Sequence, residues 1–569
     1  MCYTLQMGKH SELLQILLKN RGLENEDEIQ KFLNPNYETD LFDSFLMKDM
    51  EKACVRLFEA MEAKEKIVIY ADYDCDGIPG AVILDDLFKK IDYQNYEVYI
   101  PMRNSEGYGL NLSAIKEFAE KNVKLLITVD LGITAVAEIA QAEVDGIDVI
   151  VTDHHLPFKT LPKAYAILNP KVDDYPEKML CGAGIVFKFA QAFIKKYGEL
   201  YKIHNGWEKW LLDMVAIATL SDMVPLLGEN HVLASFGMKV LRKSPRPGLQ
   251  KLLAKMNLDQ RYLSEDDITF MVIPKLNAAS RMDDPKRAFE ILSTKDEAEA
   301  GVLADHLSKI NDERKLIVSG IMREVKKKFS ARGGSAFGGE NPDNLPEVIV
   351  IGNPKWRVGV LGLVAGKISD EYNKTVFVWG KDENDFIKGS CRSDGSVSVV
   401  ELMAQNSEYF MEYGGHELAG GFTVHSDKVH FLEETLSESY KRTVLKEAPK
   451  DGPLNFDIEG DFSLVNMKNW KEIEKLSPFG LGNPKPVFLF KNVKIEKIKK
   501  FGKNGSGEHL EITFSDINKN KAKAISFFSS HDSFEKSISE GINVSLLATF
   551  DLSRFKGREE LRLRVLNIT

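Results

Sequence analysis

The chain has 569 residues, more than one hydrophobic core organises, so three or four domains are expected. With 43% hydrophobic and 28% charged residues and no apolar run near the length of a membrane span, it reads as a soluble globular protein and excludes a membrane-spanning one. Five scattered cysteines without a CxxC pair argue against a disulfide framework or a thiolate zinc site, and the net charge of −10 argues at first against a nucleic-acid partner.

The start, "MCYTLQMGKHSELLQILLKN", is interrupted by charges and lacks a signal-peptide plan, so a cytoplasmic protein is expected. Residues 1–50 read as a helical segment. Short β-rich runs follow at "KIVIYA" (66–71), "YEVYIP" (96–101), "KLLITV" (124–129) and "IDVIVT" (147–152), with amphipathic stretches between them. That alternation predicts a parallel sheet flanked by helices. Helix-like sequence dominates from 183 to about 260, and 284–329 reads as one long connecting helix or a pair. "SARGGSAFGGENPDNLPE" (330–347) is the clearest linker. A second αβ unit begins at "VIVIGN" (348–353). Beyond 453, "HLEITFSD", "AKAISFF", "VSLLATF" and "ELRLRVLNI" predict a small antiparallel barrel. Residues 491–569 hold 15 Lys+Arg against 10 Asp+Glu, a mildly basic end on an acidic body.

The chemistry concentrates in acids placed after strands. "DYDCDG" puts Asp72, Asp74 and Asp76 directly behind the first strand. "VDLG" puts Asp130 behind the third, and "TDHH" puts Asp153, His154 and His155 behind the fourth. Asp222 ends an apolar, helical segment. One aspartate after a strand is usually a cap or a turn residue. Three in five positions, joined by consecutive histidines, are not explained that way. The carboxyl ends of parallel strands share one crevice. Carboxylates gathered there must take up protons or share cations. Oxygen and imidazole donors without thiolate suit Mn²⁺ or Mg²⁺. Cys75, between Asp74 and Asp76, is read as packed rather than ligating.

At these residues the sequence resembles the DHH phosphoesterase superfamily, named for the triplet at 153–155. "SDMVPL" (221–226), "PKLNAASRM" (274–282), "WRVGVLGLVAGKI" (356–368), "KGSCRS" (388–393), "GGHELAGGF" (414–422) and "SPFGLGNPKPVF" (477–488) extend the likeness over nearly the whole chain. In this order they resemble the branch of bacterial exonucleases that degrade single-stranded DNA from the 5′ end. Ala71, Pro79 and Ser280 depart from that branch's usual Gly, Thr and Gly. None removes an expected ligand, and proline is tolerated near a helix start.

The resemblance implies an α/β fold in parts. These are an N-terminal helical segment (1–50), a parallel-sheet DHH catalytic domain (51–283), connecting helices and linker (284–347), a smaller α/β DHH-associated domain (348–450) and an OB-fold barrel (451–569). It implies Asp74, Asp76, Asp130, His154 and Asp222 as ligands of two Mn²⁺ or Mg²⁺ ions, with Asp130 bridging. His155 would meet the scissile phosphate beside Asp72 and Asp130. Asp72 is left as either a ligand or an orienter of ligands, and Asp153 orients the histidines. Arg103, Ser390 and Arg392 are implied in a pocket for the 5′-terminal phosphate. Arg281 and the "GGH" turn of Gly414, Gly415 and His416 would take substrate phosphates, and Gly414, Gly415, Gly420 and Gly421 would let backbone N–H groups approach them closely.

Phe501, Phe527, Phe528 and Phe555 are candidate base-stacking residues of the barrel, with filling its core as the alternative. The implied activity is a processive two-metal 5′-to-3′ exonuclease on single-stranded DNA. It would release 5′-mononucleotides in repair and recombination, as a cytoplasmic monomer working with a helicase and a single-strand-binding protein. One alternative is an oligonucleotide or cyclic-dinucleotide phosphodiesterase, although those relatives are shorter and lack a third domain. The other is a non-catalytic DNA-binding replication component, which would have lost ligands that are all present here.

Overall fold

The computed structural model describes residues 10–103, 106–331, 345–443, 456–502, 509–527, 529, 534, 537–555 and 558–569. They form two compact units. One comprises Asp43–Asp222 and Gly237–Lys450, the other Met1–Phe42, Met223–Phe236 and Asp451–Thr569.

In the first unit, β1 (Lys66–Ala71), β2 (Tyr96–Tyr99), β3 (Val123–Val129), β4 (Asp148–Thr152) and β5 (Ala166–Leu168) make an all-parallel sheet in the order β2-β1-β3-β4-β5. The central strands are buried on both faces, which is why they read as unbroken Ile/Val/Leu runs rather than as alternation. The helices Leu112–Glu120 and Val136–Val144 flank the sheet, with Ile115, Phe118, Ile139 and Ala142 in a core against Tyr70, Leu126 and Val149. The helices Gly77–Lys90, Gly182–Tyr197 and Leu212–Ser221 pack on one another. The chain leaves β1 toward one edge for β2 and returns to the other side for β3. The strand order therefore reverses between β1 and β3, and the crevice beyond their carboxyl ends is where such sheets place ligands.

The same unit continues through a π-helical turn, Ile268–Val272, into the helix Ile273–Met282 that carries "PKLNAASRM". The stretch expected as one helix or two is two, Lys286–Ser293 and the 35-residue Glu297–Ala331. A second sheet follows, built from β6 (Val348–Gly352), β7 (Thr375–Lys381), β8 (Ile387–Arg392), β9 (Phe410–His416) and β10 (Ala419–Val424) in the order β6-β7-β8-β10-β9. Its register corrects one expectation. Gly414 and Gly415 lie on β9 and Gly420 and Gly421 on β10, paired strand to strand, and the turn is only Glu417–Leu418. The reason is close packing. An added Cβ at residue 415 would fall 2.4 Å from the Ala419 carbonyl oxygen, where φ is also +142°.

The second unit is a closed barrel of β12 (Phe488–Phe501), β13 (His509–Ser515), β14 (Lys521–Ser526), β15 (Asn543–Phe555) and β16 (Arg558–Ile568), with the short β11 (Ile458–Glu459) beside β12. Pairing of β12 with β15 closes it. It is not wholly antiparallel as expected, because β14 and β16 run parallel: the final hairpin of β15 and β16 sets β16 beside β14 and β15 beside β12. Phe488, Phe490, Phe514 and Phe550 fill it, and Leu14, Leu17, Leu18 and Phe32 of the first two helices join the same core.

Candidate metal centre and phosphate pocket

The acids after the strands are fixed by backbone before their side chains act. Asp72 N donates to Val129 O (3.1 Å), Asp130 N to Thr152 O (2.9 Å) and Asp153 N to Leu168 O (3.1 Å), so each prolongs the parallel ladder by one residue. Asp130 then turns at φ +63°, a left-handed conformation that aspartate tolerates better than most residues.

The "DYDCDG" loop closes on itself. Asp74 Oδ1 accepts from Asp76 N (2.8 Å) and Gly77 N (3.2 Å). Gly77 is required there, because a Cβ would sit 2.5 Å from the Asp72 carbonyl oxygen. Asp76 faces the start of the Gly182–Tyr197 helix, where Gly182 N (2.6 Å) and Ala183 N (2.7 Å) donate to its two oxygens. The positive end of the helix thus holds a carboxylate inside the crevice. These two residues were not singled out from the sequence. The small-residue run "CGAG" ahead of an amphipathic helix is the signal that could have marked them.

His154 Nε2 lies 3.2 Å from Asp130 Oδ1 and 3.8 Å from Asp76 Oδ2, and its Nδ1 lies 3.5 Å from Asp222 Oδ2. Three overlapping sets of potential ligand atoms result, each within 4.8 Å: Asp130, His154 and His155; Asp76, His154 and Asp222; and Asp72, Asp74 and Asp130. Asp130 and His154 each belong to two sets. The carboxyls are not all charged at neutral pH without help. Burial, then the neighbouring carboxylates, push Asp72 and Asp130 well above the usual range, and burial and like charge push Asp76 and Asp222 up to about 7. Asp72 Oδ1 and Asp130 Oδ1 are buried with no hydrogen-bond partner. Burial also pulls His154 down, toward the neutral imidazole that a metal needs. Buried, unpaired oxygens beside a neutral imidazole are the donor set of a divalent cation, so the residues fit Mn²⁺ or Mg²⁺. Burial holds the Cys75 and Cys181 thiols well above their ordinary value, so neither offers a thiolate.

His155, which shares a set with Asp130 and His154, is oriented by Asp153. Asp153 Oδ1 accepts from its Nδ1 (2.8 Å) and its backbone N (3.0 Å), while Asp153 Oδ2 accepts from Ile133 N (2.9 Å). Burial pulls His155 down, but the Asp153 carboxylate outweighs it and the net shift is upward. The His416 ring stacks on His155 at 5.9 Å, and Tyr108 meets His155 edge-on at 6.0 Å. Lys171 donates to the His154 carbonyl. Neither Tyr108 nor Lys171 was expected, and no motif marks them.

A positive pocket adjoins the acids. The Arg103 guanidinium lies 5.1 Å from the Tyr73 ring, Arg281 donates to Gly359 O (3.3 Å), and Arg392 donates to Cys391 O (2.7 Å). A Cβ at Gly362 would lie 3.3 Å from an Arg392 nitrogen and 3.6 Å from Ser390 Oγ, so the start of the helix Leu361–Tyr372 leaves room for both side chains. The register sets Arg392 across β10 from His416, and Ser390 across from Gly414. Burial, then the charges of Arg103, Arg314 and Arg392, bring Arg281 down to about 9. On the barrel, Phe501 and Phe527 are each 38% exposed with His509 between them, at 5.3 and 5.4 Å, and Arg564 lies 5.4 Å from the Phe527 ring. Phe528 and the Phe555 side chain lie outside the described residues.

Three family patterns match: the DHH family N-terminal domain over residues 66–219, the DHHA1 domain over 344–442 and the RecJ OB domain over 456–567. The single-stranded-DNA-specific exonuclease RecJ of Bacillus subtilis is 32% identical over 97% of this chain and 67% of its own. That of Haemophilus influenzae is 31% identical over 84% of this chain and 82% of its own. The chain belongs to the RecJ exonuclease family. Thermus thermophilus RecJ in complex with Mn²⁺ shares the fold, at a TM-score of 0.78 and 24% identity over 99% of this chain and 76% of that one. A RecJ exonuclease structure bound to manganese matches 71% of this chain and 97% of its own, at TM-score 0.60 and 28% identity. Among the described residues no helix is long and apolar enough to cross a membrane.

Proposed function

We propose that this RecJ-family chain is a divalent-metal-dependent exonuclease that degrades single-stranded DNA from the 5′ end and releases 5′-mononucleotides. The observation that carries this reading is the overlap of three ligand sets at the point where the sheet order reverses, beside a pocket of arginines. Relatives named for single-stranded DNA support the substrate, and RecJ structures with Mn²⁺ and Mg²⁺ support the metal.

Asp74, Asp76, Asp130, His154 and Asp222 would hold two ions, with Asp130 shared between them. Such ions would supply a water that is nucleophilic at neutral pH and positive charge to offset the phosphoryl oxygens. Asp72 offers its unpaired oxygen to the same space. Asp153 occupies Nδ1 of His155, which leaves Nε2 to donate toward the phosphoryl oxygen where charge builds. Arg103, Ser390 and Arg392 take the 5′-terminal phosphate. Arg281, Gly414, Gly415 and His416 take the phosphate at which cleavage occurs and its neighbour. Hydrolysis breaks the bond to the 3′ oxygen of the terminal nucleotide, which departs as a 5′-monophosphate. The setting we propose is DNA repair and recombination in the cytoplasm, as a monomer, with a helicase and a single-strand-binding protein as partners.

The test is digestion of a 3′-labelled single-stranded oligonucleotide with Mn²⁺, beside an Asp130→Asn control that keeps a residue tolerant of φ +63°. A descending ladder is expected, absent in the control and on blunt duplex. An intact oligonucleotide under both Mn²⁺ and Mg²⁺ would overturn the reading.

A further inference from the structure

We propose that Asn169 and Lys171, in the segment "LNPK" that leaves β5, are positioning residues that hold the main chain of the two histidines, Lys171 setting His154 for the metal and Asn169 setting His155 for the phosphate; this rests on the exonuclease reading above. Consecutive residues of a strand send their side chains to opposite faces. His154 and His155 instead both reach Asp130 Oδ1, at 3.2 and 3.9 Å, with their ring centroids 4.5 Å apart. The chain must therefore leave the strand before them, and β4 ends at Thr152. Asp153 N makes the last backbone bond across to β5, at Leu168 O. Beyond it the ladder stops, and the carbonyls of His154 and His155 need donors from elsewhere.

Two side chains supply them. Asn169 Nδ2 donates to His155 O (3.0 Å), and Lys171 Nζ donates to His154 O. Asn169 is wholly buried, and its Oδ1 accepts from Lys171 N (2.9 Å), which ties the two residues into one turn. The Asn169 carbonyl closes that turn by accepting from Val172 N (3.0 Å). The exit of β5 thus grips two successive carbonyls at the exit of β4. The two rings divide the consequences. His154 faces Asp130 through Nε2 and Asp222 through Nδ1, so a shift of its main chain disturbs the ligand sets. His155 is pinned at Nδ1 by Asp153, so a shift of its main chain re-aims Nε2, the nitrogen left for the phosphoryl oxygen. Lys171 also brings a charge. An ammonium beside the ligands repels a divalent cation, so by charge alone its removal would tighten Mn²⁺. Loss of positioning acts in the reverse direction, and the sign of the change separates the two.

The experiment measures Mn²⁺ binding without DNA, from loss of the free-ion electron paramagnetic resonance signal, and then kcat and KM on a single strand at saturating Mn²⁺. The chains are the wild type, Lys171→Met, Lys171→Arg, Asn169→Ser and Lys163→Met, with circular dichroism confirming each fold. Lys163 is an exposed lysine of the same connection. Lys171→Met is expected to bind Mn²⁺ about tenfold or more weakly, as loss of a group that supports a metal ligand commonly does. Lys171→Arg should restore most of the affinity, and Lys163→Met should keep it. Serine at 169 can still accept from Lys171 N, as serine does in such turns, but is too short to donate to His155 O. Asn169→Ser is therefore expected to lower kcat about tenfold or more while KM and Mn²⁺ affinity stay near the wild type. Equal or tighter Mn²⁺ binding in Lys171→Met, or a wild-type kcat in Asn169→Ser, would overturn the assignment. Weakened Mn²⁺ binding in Asn169→Ser equal to that in Lys171→Met would overturn the division between the two histidines. Weaker Mn²⁺ binding in Lys171→Met, in a protein whose wild type leaves DNA intact, would support the role of Lys171 while overturning the exonuclease reading. Should Asn169→Ser fail to fold, the half-buried Lys171 decides the matter through Lys171→Met and Lys171→Arg.

Discussion

Gly182 and Asp130 stand too close for any side chain between them: a Cβ at residue 182 would lie 2.6 Å from the Asp130 Cβ and 2.7 Å from its Oδ1. The same glycine donates its N–H to Asp76. One helix start therefore shapes two carboxylates of the crevice. Gly182→Ala is expected to displace Asp130 and raise the Mn²⁺ concentration needed for half-maximal activity by about tenfold or more, as disturbed supporting groups of metal sites commonly do. Metal titration of the exonuclease rate checks this, with circular dichroism confirming the fold. An unchanged Mn²⁺ requirement would mean that the helix start does not position the ligands.

The acids also set a pH dependence with a definite sign. Asp76 and Asp222 are raised to about 7, by burial first and then by a neighbouring carboxylate. In the unfolded chain they titrate near 4, as unperturbed aspartates do. Between those values the metal-free folded chain binds protons that the unfolded chain has released. Its stability therefore falls as pH rises through that window and is lowest above pH 7. Mn²⁺ needs the deprotonated forms, so its stabilisation grows with pH. At one hundred times its dissociation constant it adds about 2.7 kcal/mol. The melting temperature in EDTA should drop from pH 6 to pH 8, the profile with Mn²⁺ should not, and Asp222→Asn should flatten the EDTA profile. A chelated melt indifferent to Mn²⁺ would count against the cluster.

The long helix offers a test of rigidity. Gly320 lies inside Glu297–Ala331, and a Cβ there meets nothing within 4 Å. Glycine in a helix interior costs about 0.5–1 kcal/mol relative to alanine. Gly320→Ala should therefore melt higher by that order while the exonuclease rate stays within about twofold, the mark of a surface change outside the site. A higher melting temperature with a fallen rate would show instead that the helix must bend at this point to turn over.

The acids and histidines were legible in the sequence because each follows an apolar run, and the rule that parallel strands share one crevice says that they meet. Asp222 was legible as the end of an apolar helix, and it is the C-cap of Leu212–Ser221. What escaped is carried by backbone or by distance along the chain. The donors to Asp76 are main-chain N–H groups, which no residue type advertises. The glycines at 414–421 read as a turn because glycine signals turns, whereas here they permit two strands to approach. Strand β12 has no counterpart among the expected strands. Five lysines in 14 residues mask an inward row that includes Phe488, Phe490, Val493 and Ile495. The packing of Leu14 and Leu17 into the barrel joins the two ends of the chain, and nothing local to either end announces it.

The barrel carries its own test. Phe501 and Phe527 are half-exposed, whereas Phe488, Phe490, Phe514 and Phe550 already fill the core, so these two rings are free for an outside partner. His509 lies between them, and Arg564 over Phe527 adds a positive charge suited to a phosphate backbone. Stacking on an aromatic side chain is worth about 1–3 kcal/mol per base by alanine substitution. Phe527→Ala should weaken binding of a single-stranded oligonucleotide by roughly tenfold, within that range. Fluorescence anisotropy in EDTA measures this without digestion. The affinity should also fall steeply with salt, because neutralised phosphates release counterions. Binding unaffected by both Phe501→Ala and Phe527→Ala, in chains that melt like the wild type, would remove this surface from the path of the strand.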